Sequence, residues 1–411
     1  MEETNKSHLG SRDLTKIPFD VYTDEKTFQE EYDNIFRGPT WSFLGMESQL
    51  KVDGAYFTTE VSNISVVVVR SANGIGAFVN RCIHRGSLLC LESEGVLSEF
   101  SCIYHGWTYS LEGALTGVAF ERGVNGDGGM PADFDKTTHH LEQLRVANYR
   151  GLIFGTFSKE APEFNSFLGP EISPRLDRVL YKTPVLLGKA TQVMHNNWKL
   201  YIENTKDSYH ASILHTFFTT FKLNRLTQSG GLIISESGAN HISYSKRGTA
   251  ANHDGYDQQN LRANLDDFTL SDPSILNFLD EFNDGISLQI LTIFPTTVVH
   301  QINNSLAVRQ VIPRSEKKTD VVWWYYGFED DSNALSSLRQ KQINLVGPAG
   351  FISMEDGAVG AFVQKNAPHS SGNDAIVCMG GRDYTSSSSR VSEAAIRGFW
   401  SQYNDMMHSR N

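Results

Sequence analysis

Two short stretches place thiols beside imidazoles: Cys82-Ile83-His84-Arg85-Gly86 and Cys102-Ile103-Tyr104-His105-Gly106-Trp107. The pattern is C-x-H, then 17 residues, then C-x-x-H. Two thiolates and two imidazoles on two loops can make a Cys₂His₂ zinc site. They can equally hold a [2Fe–2S] cluster with both histidines on one iron, which raises its potential above that of an all-cysteine cluster. Zinc fingers pair C-x₂₋₄-C with H-x₃₋₅-H, a spacing these loops do not follow. Cys90 and Cys378 have no histidine at matching spacing and read as ordinary core or loop thiols. Further along, Glu203-Asn204-Thr205-Lys206-Asp207-Ser208-Tyr209-His210-Ala211-Ser212-Ile213-Leu214-His215 carries two histidines behind an acid. At about 100° per residue, Asp207 and His210 share a helical face, whereas His210 and His215 lie roughly 140° apart. A straight helix therefore cannot aim both imidazoles at one metal. If they share a metal, the helix must end or bend between them, unlike the i, i+4 pair of H-E-x-x-H. Taken alone, the pair favours ordinary polar residues on a half-buried helix, because two histidines at short spacing are common.

These groups need a scaffold, and 411 residues suffice for at least one large core and an expected two domains. Hydrophobic content of 40% and charged content of 20% describe an ordinary globular protein. A net charge of −11 without a Lys/Arg-dense stripe argues against nucleic-acid binding. No apolar run reaches membrane-span length. The acidic start Met1-Glu2-Glu3 is unlike a secretory signal, so four cysteines suggest a reducing, cytoplasmic setting with metal or redox roles. The expected fold is α+β in three parts. Residues 1–40 form an arm and a helix (Glu25 to Phe36) packing on the third part, 41–158 a strand-rich domain, and 159–411 an antiparallel sheet surrounded by helices. Ile64–Arg70 is β-branched and ends at Ser71-Ala72-Asn73-Gly74, a hairpin signal. Strands are expected at Leu288–Phe294, Thr297–Ile302, Leu306–Ile312 and Val321–Tyr326, with turns at Pro295, Asn303-Asn304 and Pro313. Helices are expected at 333–346, 354–365 and 391–407.

With these motifs in view, the two Cys/His loops resemble the Rieske domain of ring-hydroxylating oxygenases. The resemblance implies that Cys82 and Cys102 hold one iron of a [2Fe–2S] cluster and that His84 and His105 hold the other. Residues 203–215 are similar to the family's mononuclear iron motif, D-x-Y-H-x₄-H. Gly347-Pro348-Ala349-Gly350-Phe351-Ile352-Ser353-Met354-Glu355-Asp356 is similar to the segment leading to its third ligand. His210, His215 and Asp356 are thus the implied Fe(II) ligands, with Glu355 as the competing carboxylate. Such a facial triad leaves positions open for O₂ and substrate. Asp207 can accept the free N–H of His210 and fix its tautomer. In the family the matching acid also touches a Rieske histidine of the neighbouring subunit, here His105. The simpler reading of Asp207 is an acid at a helix N-terminus. Asn204 resembles an asparagine found near the iron, one residue closer to Asp207 than in some relatives.

The resemblance implies an oxygenase large subunit fed by NADH. Gly123-Val124-Asn125-Gly126-Asp127-Gly128-Gly129 reads as a loop rather than a dinucleotide fingerprint, so a separate flavin/iron–sulfur reductase is expected. A trimer of such subunits, with or without a small β subunit, is implied as well. Residues 200–366 resemble the branch acting on terephthalate, salicylate, anthranilate and halobenzoates. Arg309 lies in the apolar stretch Ala307-Val308-Arg309-Gln310-Val311-Ile312. A buried guanidinium is costly unless an anion meets it, and its fork suits a carboxylate; an internal ion pair is the alternative. Arg390, after the Ser386–Ser389 run, is matched to a second carboxylate-binding arginine. Two arginines would select terephthalate, giving a cis-dihydrodiol. The alternatives are salicylate hydroxylation, anthranilate or halobenzoate dioxygenation, or an electron carrier without oxygenase activity. Arg397, Trp400 and Tyr403 read as packing or subunit contacts on the last helix.

Overall fold

The computed structural model describes residues 13–247 and 268–408. The first twelve residues of the expected arm lie outside the described residues. The chain forms two compact units, one spanning Phe36–Ala161 and the other comprising the segments before and after it. Among the described residues, no helix is long and apolar enough to cross a membrane.

The Phe36–Ala161 unit is built on a seven-stranded sheet in the order 42–46, 152–156, 143–149, 74–79, 64–71, 55–61, 94–96. The run Val66-Val67-Val68-Val69 is fully buried, so this strand is covered on both faces instead of alternating in and out. Its hairpin turns through Ala72-Asn73 with Ser71 opposite Gly74, where the asparagine–glycine turn signal stood in the sequence. A smaller sheet of residues 100–101, 108–109 and 115–117 packs nearby.

The larger unit carries a seven-stranded sheet, antiparallel throughout, ordered 185–194, 318–327, 305–315, 297–302, 286–293, 241–246, 230–234. Helices Trp198–Lys206, Asn333–Val346, Ser353–Asn366 and Ala394–His408 pack around it. Pro313 does not mark a turn. The strand Ser305–Ser315 continues through it, with a register shift between Pro313 and Ser315, and the chain reverses at Glu316-Lys317. A bulge tolerates the missing proline N–H, and that is why the ladder survives.

Residues 13–35 belong to this larger unit and tie its helices together. Buried Glu31 pairs with buried Lys199 and accepts from Trp198 Nε1 at 2.7 Å and from Tyr403 OH at 2.5 Å. Glu203 accepts from Tyr22 OH and Trp400 Nε1, both at 2.7 Å. Burial pushes Glu203 up to about 7, against those two donors and Lys199. At the N-terminus of helix Trp198–Lys206, the Asn197 N–H donates to Gln364 Oε1 at 2.7 Å, binding it to helix Ser353–Asn366. Trp400 and Tyr403 thus pack inside one unit, and Arg397 donates to the carbonyls of Val377, Met379 and Asp383. Removing one member of a buried pair leaves an uncompensated charge. Lys199→Met should therefore cost about 3–5 kcal/mol of stability, read from the denaturant midpoint of this unit. A loss below about 1 kcal/mol would show that the pair holds nothing together.

Candidate metal centres and substrate cavity

The two Cys/His loops share one local design. The N–H of Gly86 donates to the Cys82 carbonyl and that of Gly106 to the Cys102 carbonyl, both at 2.9 Å. The Cys82 and Cys102 N–H groups donate to Ser87 and Trp107 carbonyls, both at 2.8 Å. Both glycines have positive φ, +76° and +63°, a conformation that side chains with a Cβ rarely adopt. The thiols are buried and the cysteines free. Burial pushes the Cys82 thiol up, while the Tyr109 hydroxyl, 3.2 Å from its sulfur, works against that and the Cys102 sulfur adds to it. His84 and His105 face each other with ring centroids 4.7 Å apart, and His84 stacks on Trp107. The His105 Nδ1 is buried without a partner. Two adjacent sulfurs, two adjacent imidazoles and an orphaned ring nitrogen suit a cluster with one thiolate-bound and one imidazole-bound iron. The sulfur half lies inside, whereas His84 is exposed and His105 half-buried.

In the larger unit, the helical chain breaks twice around the second motif. Helix Trp198–Lys206 stops at Asp207, which starts Ser208–Leu214 by accepting from the Tyr209 and His210 N–H groups at 2.8 and 3.1 Å. That helix ends before His215, whose φ of −84° and ψ of 80° start the turn Thr216–Thr220 in a new direction. The break lets both imidazoles meet one carboxylate. Asp356 Oδ1 lies 3.4 Å from His210 Nε2 and 3.2 Å from His215 Nε2, and the ligand atoms of all three lie within 4.8 Å of one another. Among the described residues this is the one such group of three found. Burial alone would lower His210, but Asp207 and Asp356 outweigh it and raise it to about 10. Burial would raise Asp356, and the two histidines hold it well below the usual carboxylate range. Two imidazoles and a carboxylate are the donor set of a non-haem ferrous ion.

The surrounding residues fix these rings. Asp207 Oδ2 is 3.3 Å from His210 Nδ1, so this one side chain both caps the helix and faces the ring nitrogen away from Asp356. Glu355 does not compete with Asp356: its Oε2 lies 2.7 Å from His215 Nδ1, on the far side of that ring. Sequence reasoning missed this role, although adjacent helical residues point about 100° apart and cannot meet at one point. Asn204 donates to Asp356 Oδ1 at 3.1 Å and stands 3.3 Å from His210 Nε2, within reach of the same centre.

Beside the three groups, a cavity of about 60 Å³ is lined by Phe218, Asn224, Ser243, Leu288, Ile302 and Arg309, among others. Arg309 is 6% exposed, and no carboxylate of the described residues pairs with it. Arg390 is not brought to this wall. Its guanidinium is tied to Asn224 Oδ1 and the Arg225 carbonyl, so it stands one layer behind Asn224. A wider cavity of about 320 Å³ also reaches Asn204, Asp207 and His210, with Glu203 and Glu393 in its walls.

Residues 40–125 match the Rieske [2Fe–2S] domain, and residues 184–409 match the ring-hydroxylating alpha subunit catalytic domain. The chain belongs to the alpha subunits of the Rieske ring-hydroxylating dioxygenases, whose cofactors are the [2Fe–2S] cluster and a mononuclear iron. It is 50% identical to the terephthalate 1,2-dioxygenase terminal oxygenase component subunit alpha 2 of Comamonas sp., over 96% of this chain and 95% of that one. It is 38% identical to the anthranilate 1,2-dioxygenase large subunit of Burkholderia cepacia, over 99% and 96%. The salicylate 5-hydroxylase large oxygenase component of Ralstonia sp. is 34% identical over 96% and 94%. A solved naphthalene 1,2-dioxygenase with bound indole has the same fold, with a TM-score of 0.81 at 23% identity over 99% of this chain and 95% of that one.

The geometry predicts that Asp356→Ala loses the mononuclear iron and turnover while the visible cluster absorbance stays. Retention of that iron, counted by metal analysis, would contradict the site. Glu355→Ala should weaken iron retention about 10–100-fold, as removal of a histidine's outer partner does.

Proposed function

We propose that the chain is the terminal oxygenase subunit that cis-dihydroxylates terephthalate with O₂ and electrons from NADH. The observation that carries the assignment to an aromatic carboxylate is Arg309, and the likeness to a terephthalate oxygenase subunit chooses among such acids. A buried guanidinium with no acid partner, in the wall of the cavity that holds His210, His215 and Asp356, calls for an anionic ligand. A ring carboxylate meets its fork with two parallel hydrogen bonds. The apolar walls from Phe218, Leu288, Ile290 and Ile302 suit the flat ring. Arg390 enters as the group that fixes Asn224 and adds positive charge behind it. The 50% identity to a terephthalate oxygenase subunit supports the same substrate.

In this reading His210, His215 and Asp356 hold the ferrous ion, while Cys82, Cys102, His84 and His105 hold the cluster. The cluster supplies single electrons and the iron supplies O₂ activation. The protein's own share is positional. Asp207 and Glu355 hold the two rings, Asn204 steadies the Asp356 oxygen, and Arg309 sets the distance of the substrate ring. The overall reaction consumes terephthalate, O₂, NADH and a proton, and yields the cis-dihydrodiol dicarboxylate and NAD⁺.

The electrons come from a separate NADH-dependent flavin/iron–sulfur reductase in the same reading, and the subunits act as a cytoplasmic trimer, joined by a small β subunit. Asp207 of one subunit meets the partner subunit's His105. Support comes from the 320 Å³ cavity, which gives access to Asp207, and from the imidazole edge being the accessible half of the cluster loops.

The test is a screen of terephthalate, salicylate, anthranilate and 2-halobenzoate with reductase, following NADH, O₂ and product together. Terephthalate should couple O₂ uptake to diol formation mole for mole. A higher kcat/KM for one of the monoacids would overturn the substrate assignment, and electron uptake without any product would favour the carrier.

A further inference from the structure

Arg309 is immobilised by groups that carry no charge. Its Nε donates to His300 Nδ1 at 3.0 Å, and its Nη1 lies 3.4 Å from the Tyr201 hydroxyl. The Trp323 ring lies against the guanidinium, 4.4 Å from carbon to centroid. The sheet register sets this arrangement. Arg309 pairs directly with Trp323 on one side and with Val298 on the other, and His300 stands two residues beyond Val298 on the same face.

We propose that His300 is a positioning residue for substrate recognition, one that orients the Arg309 fork toward a ring carboxylate. The inference rests on Arg309 being the carboxylate anchor. A guanidinium offers five N–H groups. With Nε committed to His300 and one Nη1 hydrogen directed at Tyr201, the Nη1–Nη2 edge is what remains for a ligand, and that edge matches the two oxygens of a carboxylate. To accept from Nε, His300 must carry its proton on Nε2, and that buried nitrogen has no partner among the described protein atoms. Burial, reinforced by the Arg309 charge, pushes His300 well below its ordinary value, so it stays an acceptor through the physiological range. Remove the acceptor and a buried, charged N–H is left unmet. The guanidinium would then turn about its Cδ–Nε bond to find another acceptor, and the fork would leave the plane of the incoming carboxylate.

The experiment compares His300→Leu, which lacks an acceptor, with His300→Asn, whose Oδ1 can stand near the Nδ1 position. Both are made in the iron-loaded oxygenase and assayed with reductase. His300→Leu should raise the terephthalate KM, and its dissociation constant by calorimetry, about ten- to hundredfold, with a much smaller change in kcat and an unchanged cluster spectrum. His300→Asn should bring both constants back to within about threefold of the parent. His300→Phe serves as the acceptor-free variant if the leucine protein does not fold. An unchanged KM without the acceptor, or an asparagine variant as impaired as the leucine one, would overturn the role of His300. Arg309→Leu separates the two layers. If it raises KM and His300→Leu does not, only His300 is misassigned; if neither does, the anchor itself is wrong.

Discussion

Two imidazoles five residues apart can face one point only if the chain stops being helical between them, and the catalytic unit is arranged around that constraint. The break before His215 turns its ring toward Asp356, and the break at Asp207 places a carboxylate behind His210. Asp207 meets two demands with two oxygens: one satisfies the N–H groups of a new helix, the other faces the ring nitrogen that points away from the shared centre. Glu355 does the corresponding work for His215 from the neighbouring position to Asp356. Each ring thus has a carboxylate behind it, and the two Nε2 nitrogens are left to converge on Asp356.

Convergence also requires that the helix before Asp207 and the helix bearing Asp356 stay in register. The contact between Asn197 and Gln364 joins their framework directly. Glu31 reaches this helix at Trp198 and Lys199, and Glu203 on the helix accepts from Tyr22 and Trp400, so lysine, tryptophan and tyrosine donors tie it to residues 13–35 and to the last helix. Buried charges of this kind are poor sources of net stability. What they provide here is a fixed axial position for the segment that ends in Asp207, which apolar side chains sliding past one another would hold less sharply.

Much of this could be read from the chain where chemistry and spacing are local. Cys82, His84, Cys102 and His105 announce themselves because each loop closes within five residues, and the His210/His215 spacing calls for a bend once both rings are to meet one point. Asp356 was reachable through resemblance alone, since nothing near it in sequence says which distant residues it meets. On sequence alone Glu355 rivals Asp356 for the same position, whereas the helix turns it to the back of His215. Arg309 stood out as a charge in an apolar strand, but its neighbours did not, because His300 and Trp323 reach it through strand register, a long-range property. Arg390 illustrates the converse. Its match to an anion-binding residue was visible, yet its guanidinium is occupied by Asn224 and main-chain carbonyls. Pro313 signals a turn in the sequence because a proline inside a strand usually ends it, and in the structure a bulge absorbs it.

The most direct measurement is an anomalous difference map from crystals of the iron-loaded protein, collected on both sides of the iron absorption edge. Two closely spaced peaks should appear between the Cys82/Cys102 sulfurs and the His84/His105 rings, and a single separate peak where His210 Nε2, His215 Nε2 and Asp356 face one another. An iron peak ligated by Glu355 in place of Asp356, or a zinc signal at the cysteine loops with no iron there, would contradict the account.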